Sequence, residues 1–96
     1  MHYQFEWDPE KANKNSRKHS VSFEEAATVF KDRNMRSIFD SDHSKEEDRW
    51  ITLGISSKGR VLVVCHTFVE ESQGSAVIRI FSSRKATNHE IQQYWR

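Results

Sequence analysis

The sequence predicts an α+β domain with an antiparallel sheet of four to five strands, two N-terminal helices and one C-terminal helix. Five segments have the pattern of strands: most alternate with a period of two, and residues 61–65 are apolar on both faces, as in a central strand covered on both sides. Helix-capping patterns precede and follow the strand-rich middle of the chain. The 96 residues suffice for one domain, which we expect to span residues 1–96. Apolar residues make up only 35% of the chain, so the core must be small.

The N-terminal part of the chain predicts a strand followed by two helices. Residues 3–7 alternate aromatic and polar side chains, as a half-buried strand does. Asp8 as N-cap and Pro9 at the first helical position predict a helix to about His19, which is largely polar and should lie at the surface. Ser22 opens a second helix with a capping box. The apolar stripe of that helix consists of Phe23, Ala26, Ala27 and Phe30.

The rest of the chain predicts four more strands and a final helix. The strand segments are 35–39, 49–55, 60–68 and 76–82. The sequence SSKG at 56–59 predicts a tight turn, whereas VEESQGS at 69–75 predicts a longer loop. Thr87 and Glu90 form another capping box, which begins the C-terminal helix.

The charges are unevenly distributed along the chain. The formal net charge of +1 gives no indication of a nucleic-acid partner. Residues 75–96 nevertheless contain four bases and one acid, whereas residues 40–49 contain five acids and two bases. Patches of opposite sign on one small domain suit an anionic partner at one place and a basic partner at another. The alternative is that both runs are solvated faces without a partner.

The single cysteine and the absence of long apolar runs indicate where the protein resides. Cys65 lies in an apolar strand segment and has no second cysteine to pair with, so we expect a small core residue in a reducing compartment. No apolar run approaches the length of a membrane span, and the N-terminus lacks the apolar segment of a signal peptide. We therefore expect a cytoplasmic protein.

The five histidines do not form a metal-binding pattern. They are scattered without the paired spacing of zinc sites, and Cys65 and His66 are neighbours on a strand that should face opposite sides. The sequence also lacks a glycine-rich phosphate loop and a nucleophile elbow. We expect neither a metal nor a cofactor.

Cations cluster in and after the last strand segment. If that segment pairs with 60–68, His66 should stand near Arg79, while Arg84 and Lys85 should project from a loop before the last helix. A histidine with arginines and a lysine suits metal-free phosphodiester cleavage, because histidine moves protons near neutral pH and arginines stabilise phosphate charge. The alternative is that Arg79 pairs with an acid on an exposed sheet face and that His66 is a satisfied core histidine.

Three ordered segments of the chain match the pattern of a known family. They are FEWDPEKANKNSRKHSVSFEEAATVF (5–30), DSDHSKEEDRWITLGISSKGRVLVV (40–64) and IRIFSSRKATNHEIQQYW (78–95). In these segments the chain resembles the BrnT toxin family of bacterial type II toxin–antitoxin systems. It differs at Ser20, where the family usually has glycine at the end of a helix.

The resemblance implies a RelE-like fold and a metal-independent ribonuclease that arrests growth. The implied catalytic residues are His66 as proton carrier, with Arg79 and Arg84 stabilising the five-coordinate phosphorane. The implied RNA-binding residues are Lys85, Arg49, His19 and Ser83. For Arg49 the alternative is that it forms a structural ion pair and does not bind RNA.

The resemblance also implies a protein partner. That partner is a BrnA-like ribbon-helix-helix antitoxin. The toxin would contact DNA only through this antitoxin, and we expect two toxin chains in the complex. A second hypothesis from another class stays open: the chain could be a catalytically inactive binding module that completes an antitoxin–DNA repressor complex.

Overall fold

Six strands and three α-helices make up the protein, and the computed structural model describes all of residues 1–96. In chain order they are β1 (His2–Glu6), α1 (Pro9–His19), α2 (Phe23–Thr28), β2 (Arg36–Phe39), β3 (Arg49–Ile55), β4 (Val61–Thr67), β5 (Val69–Ser72), β6 (Ser75–Lys85) and α3 (Asn88–Tyr94). Short 3-10 turns follow α2 at Val29–Lys31 and β2 at Ser41–His43.

All six strands form one sheet, which is mixed and not antiparallel as predicted. The order is β1-β6-β4-β3-β2, and β5 also pairs with β6. β1 runs parallel to β6, which is possible because residues 7–74 connect them and no hairpin fixes their relative direction. The other pairs are antiparallel. The sixth strand comes from the predicted loop 69–75, where Gly74 has a φ of +81° that suits the turn between β5 and β6.

The helices α1 and α2 cover one face of the sheet, which we call the covered face. Its core consists of Val21, Phe23, Ala26, Val29, Phe30, Leu62, Val64, Ile78 and Ile80. The second helix is shorter than predicted: it ends at Thr28, and Phe30 enters the core from the 3-10 turn that follows. This turn keeps the apolar stripe continuous although the α-helical hydrogen bonds stop.

The opposite face, which we call the open face, is covered by a helix only at one end. There α3 lies beside Leu53 of β3 and Val63 of β4, and its Glu90 contacts β6. Tyr94 of α3 is buried, and its hydroxyl donates to the carboxylate of Asp32 at 2.5 Å. Burial, together with this hydrogen bond, raises the pKa of Tyr94 to about 12. The remainder of the open face carries the charged residues Glu6, Arg49 and Arg79.

Asn15 ties the polar helix α1 to the sheet. β1 ends at Glu6, so the edge of β6 beyond Arg79 has no strand beside it. The side chain of Asn15 fills this position: its oxygen accepts from the backbone N–H of Ser83, and its NH2 group donates to the carbonyls of Ser83 and Val21. One buried amide therefore replaces a strand, which satisfies backbone groups that would otherwise be costly to bury.

Candidate functional site

A β-bulge puts His66 and Arg79 on opposite faces of the sheet. The β4–β6 register shifts between Cys65 and His66, so His66 lies opposite Ile80. Residues directly opposite each other share a face, which places His66 on the covered face with Ile80 and places Arg79 on the open face. The prediction that His66 stands near Arg79 is therefore wrong. The long β4–β6 connection does not determine the register of the two strands, so the sequence did not indicate the shift.

His66 is buried, with 2% of its surface exposed, and both ring nitrogens have hydrogen-bond partners. Nδ1 lies 2.9 Å from the carbonyl of Thr67, and because a carbonyl can only accept, Nδ1 carries the proton. Nε2 then accepts from the hydroxyl of Thr52 at 2.6 Å, and this oxygen lies 2.7 Å from the hydroxyl of Ser37. Burial lowers the pKa of His66, which favours the neutral ring.

A cavity of about 300 Å³ lies beside this histidine. It is lined by Phe30, Met35, Ser37, Trp50, His66 and Phe68. The lining is almost entirely apolar, and the Phe30 ring meets the imidazole edge to face at a centroid distance of 4.8 Å. The geometry is that of a satisfied core histidine.

On the open face, four strands contribute one continuous row of side chains. Arg49 of β3 lies opposite Thr67 of β4, the backbone N–H of Arg79 in β6 donates to the Thr67 hydroxyl at 3.3 Å, and Glu6 of β1 lies beside Arg79. We call Glu6, Thr67, Arg79 and Arg49 the cross-strand row. The two arginine backbones are two strands apart, which corresponds to about 10 Å.

The charged members of this row are half-exposed and weakly paired. A guanidinium nitrogen of Arg79 lies 3.7 Å from the Glu6 carboxylate, and one of Arg49 lies 3.5 Å from that of Glu47. Exposed pairs at such distances contribute little to stability. The side-chain Nε of Arg49 has no hydrogen-bond partner although it is shielded from solvent. Both arginines can therefore change partners at low cost.

Phe81 stands next to the row, at the bulge of β6. The guanidinium carbon of Arg49 lies 4.2 Å from the centre of its ring, and the amine of Lys11 lies 5.6 Å from it. Cation–π attraction holds these two positive groups near an aromatic surface. Proteins that bind single-stranded nucleic acids combine aromatic rings, on which bases stack, with cations that contact the phosphates.

Arg84 has a different environment from the predicted loop. It belongs to β6, which continues to Lys85, and its guanidinium makes two hydrogen bonds to the Glu90 carboxylate at 2.8 and 3.0 Å. Glu90 also completes the capping box of α3 with Thr87. The bidentate pair with Arg84 lowers the pKa of Glu90 to about 2. Arg84 thus connects the last strand to the last helix.

The remaining predicted RNA-binding residues do not form a group. Ser83 is 1% exposed on the covered face, and its hydroxyl has no hydrogen-bond partner. Lys85 is exposed at the end of β6, opposite Leu62, and His19 is half-buried in the last turn of α1. Of the seven predicted residues, only Arg49 and Arg79 are brought together.

The structure contains neither a cluster of metal-binding side chains nor a helix that could span a membrane. No group of three or more His, Cys, Asp or Glu side chains is arranged to hold a metal ion. No helix is both long and apolar enough to cross a membrane.

Sequence reasoning missed Glu6, Phe81 and Asn15. Glu6 belongs to the recognised alternating segment 3–7, but its position beside Arg79 depends on the parallel β1–β6 pairing. Asn15 lies three residues after Ala12, on the inward side of α1, and this spacing could have identified it. The position of Phe81 next to the row depends on the β-bulge in the β4–β6 pairing, and the local sequence does not indicate a bulge there.

Comparison with known proteins identifies the family. Residues 7–90 match the family model described as the ribonuclease toxin, BrnT, of type II toxin–antitoxin systems. The chain belongs to the BrnT toxin family. Among solved structures, the 1.1 Å crystal structure of the Brucella abortus ribonuclease toxin BrnT superposes with a TM-score of 0.63 at 17% sequence identity, covering 92% of this chain and 100% of that one. No curated protein matches the sequence.

The family assignment fixes the general role of the chain. It is a toxin of a type II toxin–antitoxin system, and such a system supplies an antitoxin partner. At 17% identity the Brucella structure supports the shared BrnT fold and not the individual site residues.

Proposed function

We propose that this chain is an active, metal-independent ribonuclease whose RNA-binding surface is the open face of the sheet. The observation that carries the proposal is the cross-strand row, in which Arg49 and Arg79 flank Thr67 and Glu6 adjoins Arg79. The description of the family as a ribonuclease toxin supports the reaction class. Cleavage of cellular RNA would then arrest growth.

Arg79 and Arg49 are proposed to bind the phosphodiester that is cut. Each guanidinium is planar and permanently charged and can donate two hydrogen bonds to phosphate oxygens. These donors stabilise the additional negative charge on the oxygens of the five-coordinate phosphorus, and such electrostatic stabilisation is usually the largest single contribution to catalysis. The Phe81 ring, whose centre lies 4.2 Å from the guanidinium carbon of Arg49, would offer an adjacent base a stacking surface once Arg49 turns to the phosphate.

Glu6 is proposed as the general base. Its carboxylate is exposed and lies 3.7 Å from Arg79, so it is next to any phosphate that Arg79 binds. It would take the proton of the ribose 2′-hydroxyl while that oxygen forms a bond to phosphorus and the bond to the 5′-oxygen breaks. The departing 5′-oxygen takes a proton from water, which leaves a 2′,3′-cyclic phosphate and a 5′-hydroxyl.

The catalytic roles predicted for His66 and Arg84 stay predictions, and their contacts favour structural roles. Both nitrogens of His66 are bonded within the covered face, and Arg84 is occupied by Glu90. Lys85 remains a candidate for a peripheral phosphate contact because it is exposed at the end of β6. RNA contact by the buried Ser83 and the half-buried His19 would require rearrangement.

The protein partner is proposed to be a BrnA-like ribbon-helix-helix antitoxin. Such antitoxins bind DNA as dimers, so the complex is expected to contain two toxin chains and to reach DNA only through the antitoxin. The membership of the chain in a type II toxin–antitoxin family supports an antitoxin partner.

Single-turnover cleavage of an RNA oligonucleotide in EDTA tests the proposal. We expect Arg79→Ala to slow cleavage by about 10²- to 10³-fold, the usual cost of one preorganised donor. Glu6→Gln should slow it by about 10²- to 10⁴-fold, as expected for loss of a general base. The matched control is Arg17→Ala, which removes an exposed arginine from α1 on the covered side and should leave the rate unchanged.

Three outcomes would contradict parts of this proposal. Cleavage that EDTA abolishes and magnesium restores would rule out the metal-independent mechanism. Wild-type rates in both open-face variants would rule out the cross-strand row. An absence of cleavage by the wild-type chain, with intact antitoxin binding, would favour the inactive binding module.

A further inference from the structure

The edge strand β2 presents free backbone hydrogen-bonding groups. It pairs with β3 on one side and has no neighbour on the other. The N–H of Asp40 donates to the carbonyl of Arg49, its register partner, so Asp40, Ile38 and Arg36 direct their backbone groups towards β3. Ser37 and Phe39 alternate with them. The backbone N–H and C=O groups of Ser37 and Phe39 therefore point away from β3, in the plane of the sheet. This is the geometry that an added strand requires.

The same edge exposes apolar side chains. Ile38 is 63% exposed on the open face, and Phe39 is 46% exposed on the covered face. β2 has no proline, lysine or bulge, which are the usual features that prevent edge strands from pairing. An edge with these properties favours strand addition.

The charges at the two ends of β2 are self-complementary. Arg33 and Arg36 are at its N-terminal end, and Asp40 and Asp42 are at its C-terminal end. In an antiparallel pair related by a two-fold axis, the basic end of each strand lies beside the acidic end of the other. A second copy of this chain therefore satisfies the charges at both ends of the strand at once.

We propose that two copies of the chain associate through antiparallel pairing of their β2 strands, which extends the sheet across a two-fold axis. Ser37 of one copy pairs with Phe39 of the other through backbone hydrogen bonds. Ile38 meets Ile38 of the second copy at the axis, and Arg36 lies opposite Asp40.

The register follows from which residues have free backbone groups. Only odd-numbered residues can form the hydrogen-bonded pairs, so the strands can slip only in steps that keep odd opposite odd. A slip in one direction puts Arg36 opposite Ile38, and a slip in the other puts Ile38 opposite Asp40. The proposed register alone pairs apolar with apolar and base with acid. Asp40 accepts from His43 through one carboxylate oxygen, and Arg36 donates to the carbonyl of Arg96 through one guanidinium nitrogen. The second carboxylate oxygen and the other guanidinium N–H groups are left for the pair between the two copies.

Sedimentation velocity of the purified chain, over a concentration range from micromolar to millimolar, tests the association. We expect a monomer–dimer equilibrium that high salt weakens, since the end charges attract across the interface. Ile38→Lys should raise the dimer dissociation constant at least about tenfold, because it places two like charges at the axis. The matched control is Val69→Lys, which changes a similarly exposed apolar residue (56%) of β5 and should leave the equilibrium unchanged.

Cysteine cross-linking tests the register, because a disulfide forms only between residues that association places opposite each other. In a Cys65→Ser background, Ile38→Cys should form an interchain disulfide under mild oxidation, because opposed residues of a non-hydrogen-bonded pair have suitable spacing. Phe39→Cys should not, since Phe39 of one copy lies opposite Ser37 of the other. A monomer at every concentration, or Ile38→Cys cross-linking no better than Val69→Cys, would overturn the proposal. Efficient Phe39→Cys cross-linking would overturn the register.

Discussion

The two faces of the sheet treat their polar groups in opposite ways. On the covered face, His66 has a partner for each nitrogen, and the buried carboxylate of Glu25 binds Arg60 and the hydroxyl of Ser56. On the open face, Arg79 and Arg49 are half-exposed and only loosely paired. A titratable residue next to a cavity is therefore not automatically available for chemistry. What matters is whether its hydrogen-bonding capacity is already used.

Arg60→Ala is expected to have the largest effect on stability and tests the structural role of the covered face. Glu25 would remain buried without its ion pair, and breaking a buried pair from one side costs about 3–5 kcal/mol. We expect a value near the lower limit, since Arg60 is partly exposed. Urea unfolding measures it, with Lys58→Ala in the same turn as the control, where we expect less than about 0.5 kcal/mol. If Arg60→Ala lowered the free energy of unfolding by as little as the control does, water and not Arg60 would stabilise the charge of Glu25.

Arg84→Gln tests whether one open-face arginine behaves like a covered-face residue. The folded-state pKa of Glu90, about 2, lies below the ordinary value of 4.5, so the stabilisation is present above pH 4.5 and is lost as the pH falls through about 2. We expect Arg84→Gln to cost about 1–2 kcal/mol at neutral pH, after allowance for the exposure of Arg84, and to flatten the pH dependence of unfolding in that window.

Arg79→Gln is the matched control for Arg84→Gln, because its pair with Glu6 is longer and exposed. It should cost less than about 1 kcal/mol. Equal losses for the two variants would remove the distinction between a helix-anchoring arginine and an available one.

Ser20→Gly should give the smallest effect, a gain of about 0.5–1 kcal/mol, and concerns the layer that covers His66. Ser20 adopts a left-handed conformation with φ +57° between α1 and α2, where a side chain is strained and glycine is not. The substitution should raise the melting temperature, whereas Ser16→Gly within α1 should lower it. A loss of stability in Ser20→Gly would mean that this turn is not strained.

Most local elements were predictable, whereas the short strand β5 and the pairing of the strands were not. Alternation at 3–7 and capping at Asp8 and Thr87 depend on neighbouring residues, so the sequence predicts β1, α1 and α3 closely. The resemblance to the BrnT family was confirmed. The parallel β1–β6 pairing and the β4–β6 bulge join residues that are far apart in the chain. Those two features decide which face His66 and Arg79 occupy, so the predicted site grouping failed where the fold elements succeeded.

We propose above all that RNA binds the open face at the cross-strand row. The most direct test is an NMR titration of the chain with a short RNA that carries 2′-O-methyl groups, so that it binds without being cut. We predict that the largest chemical-shift changes centre on Arg49, Arg79 and the Phe81 ring, while the His66 imidazole and Trp50 indole signals barely move. Changes that centre on His66 and Trp50, with Arg79 and Phe81 unaffected, would contradict the account.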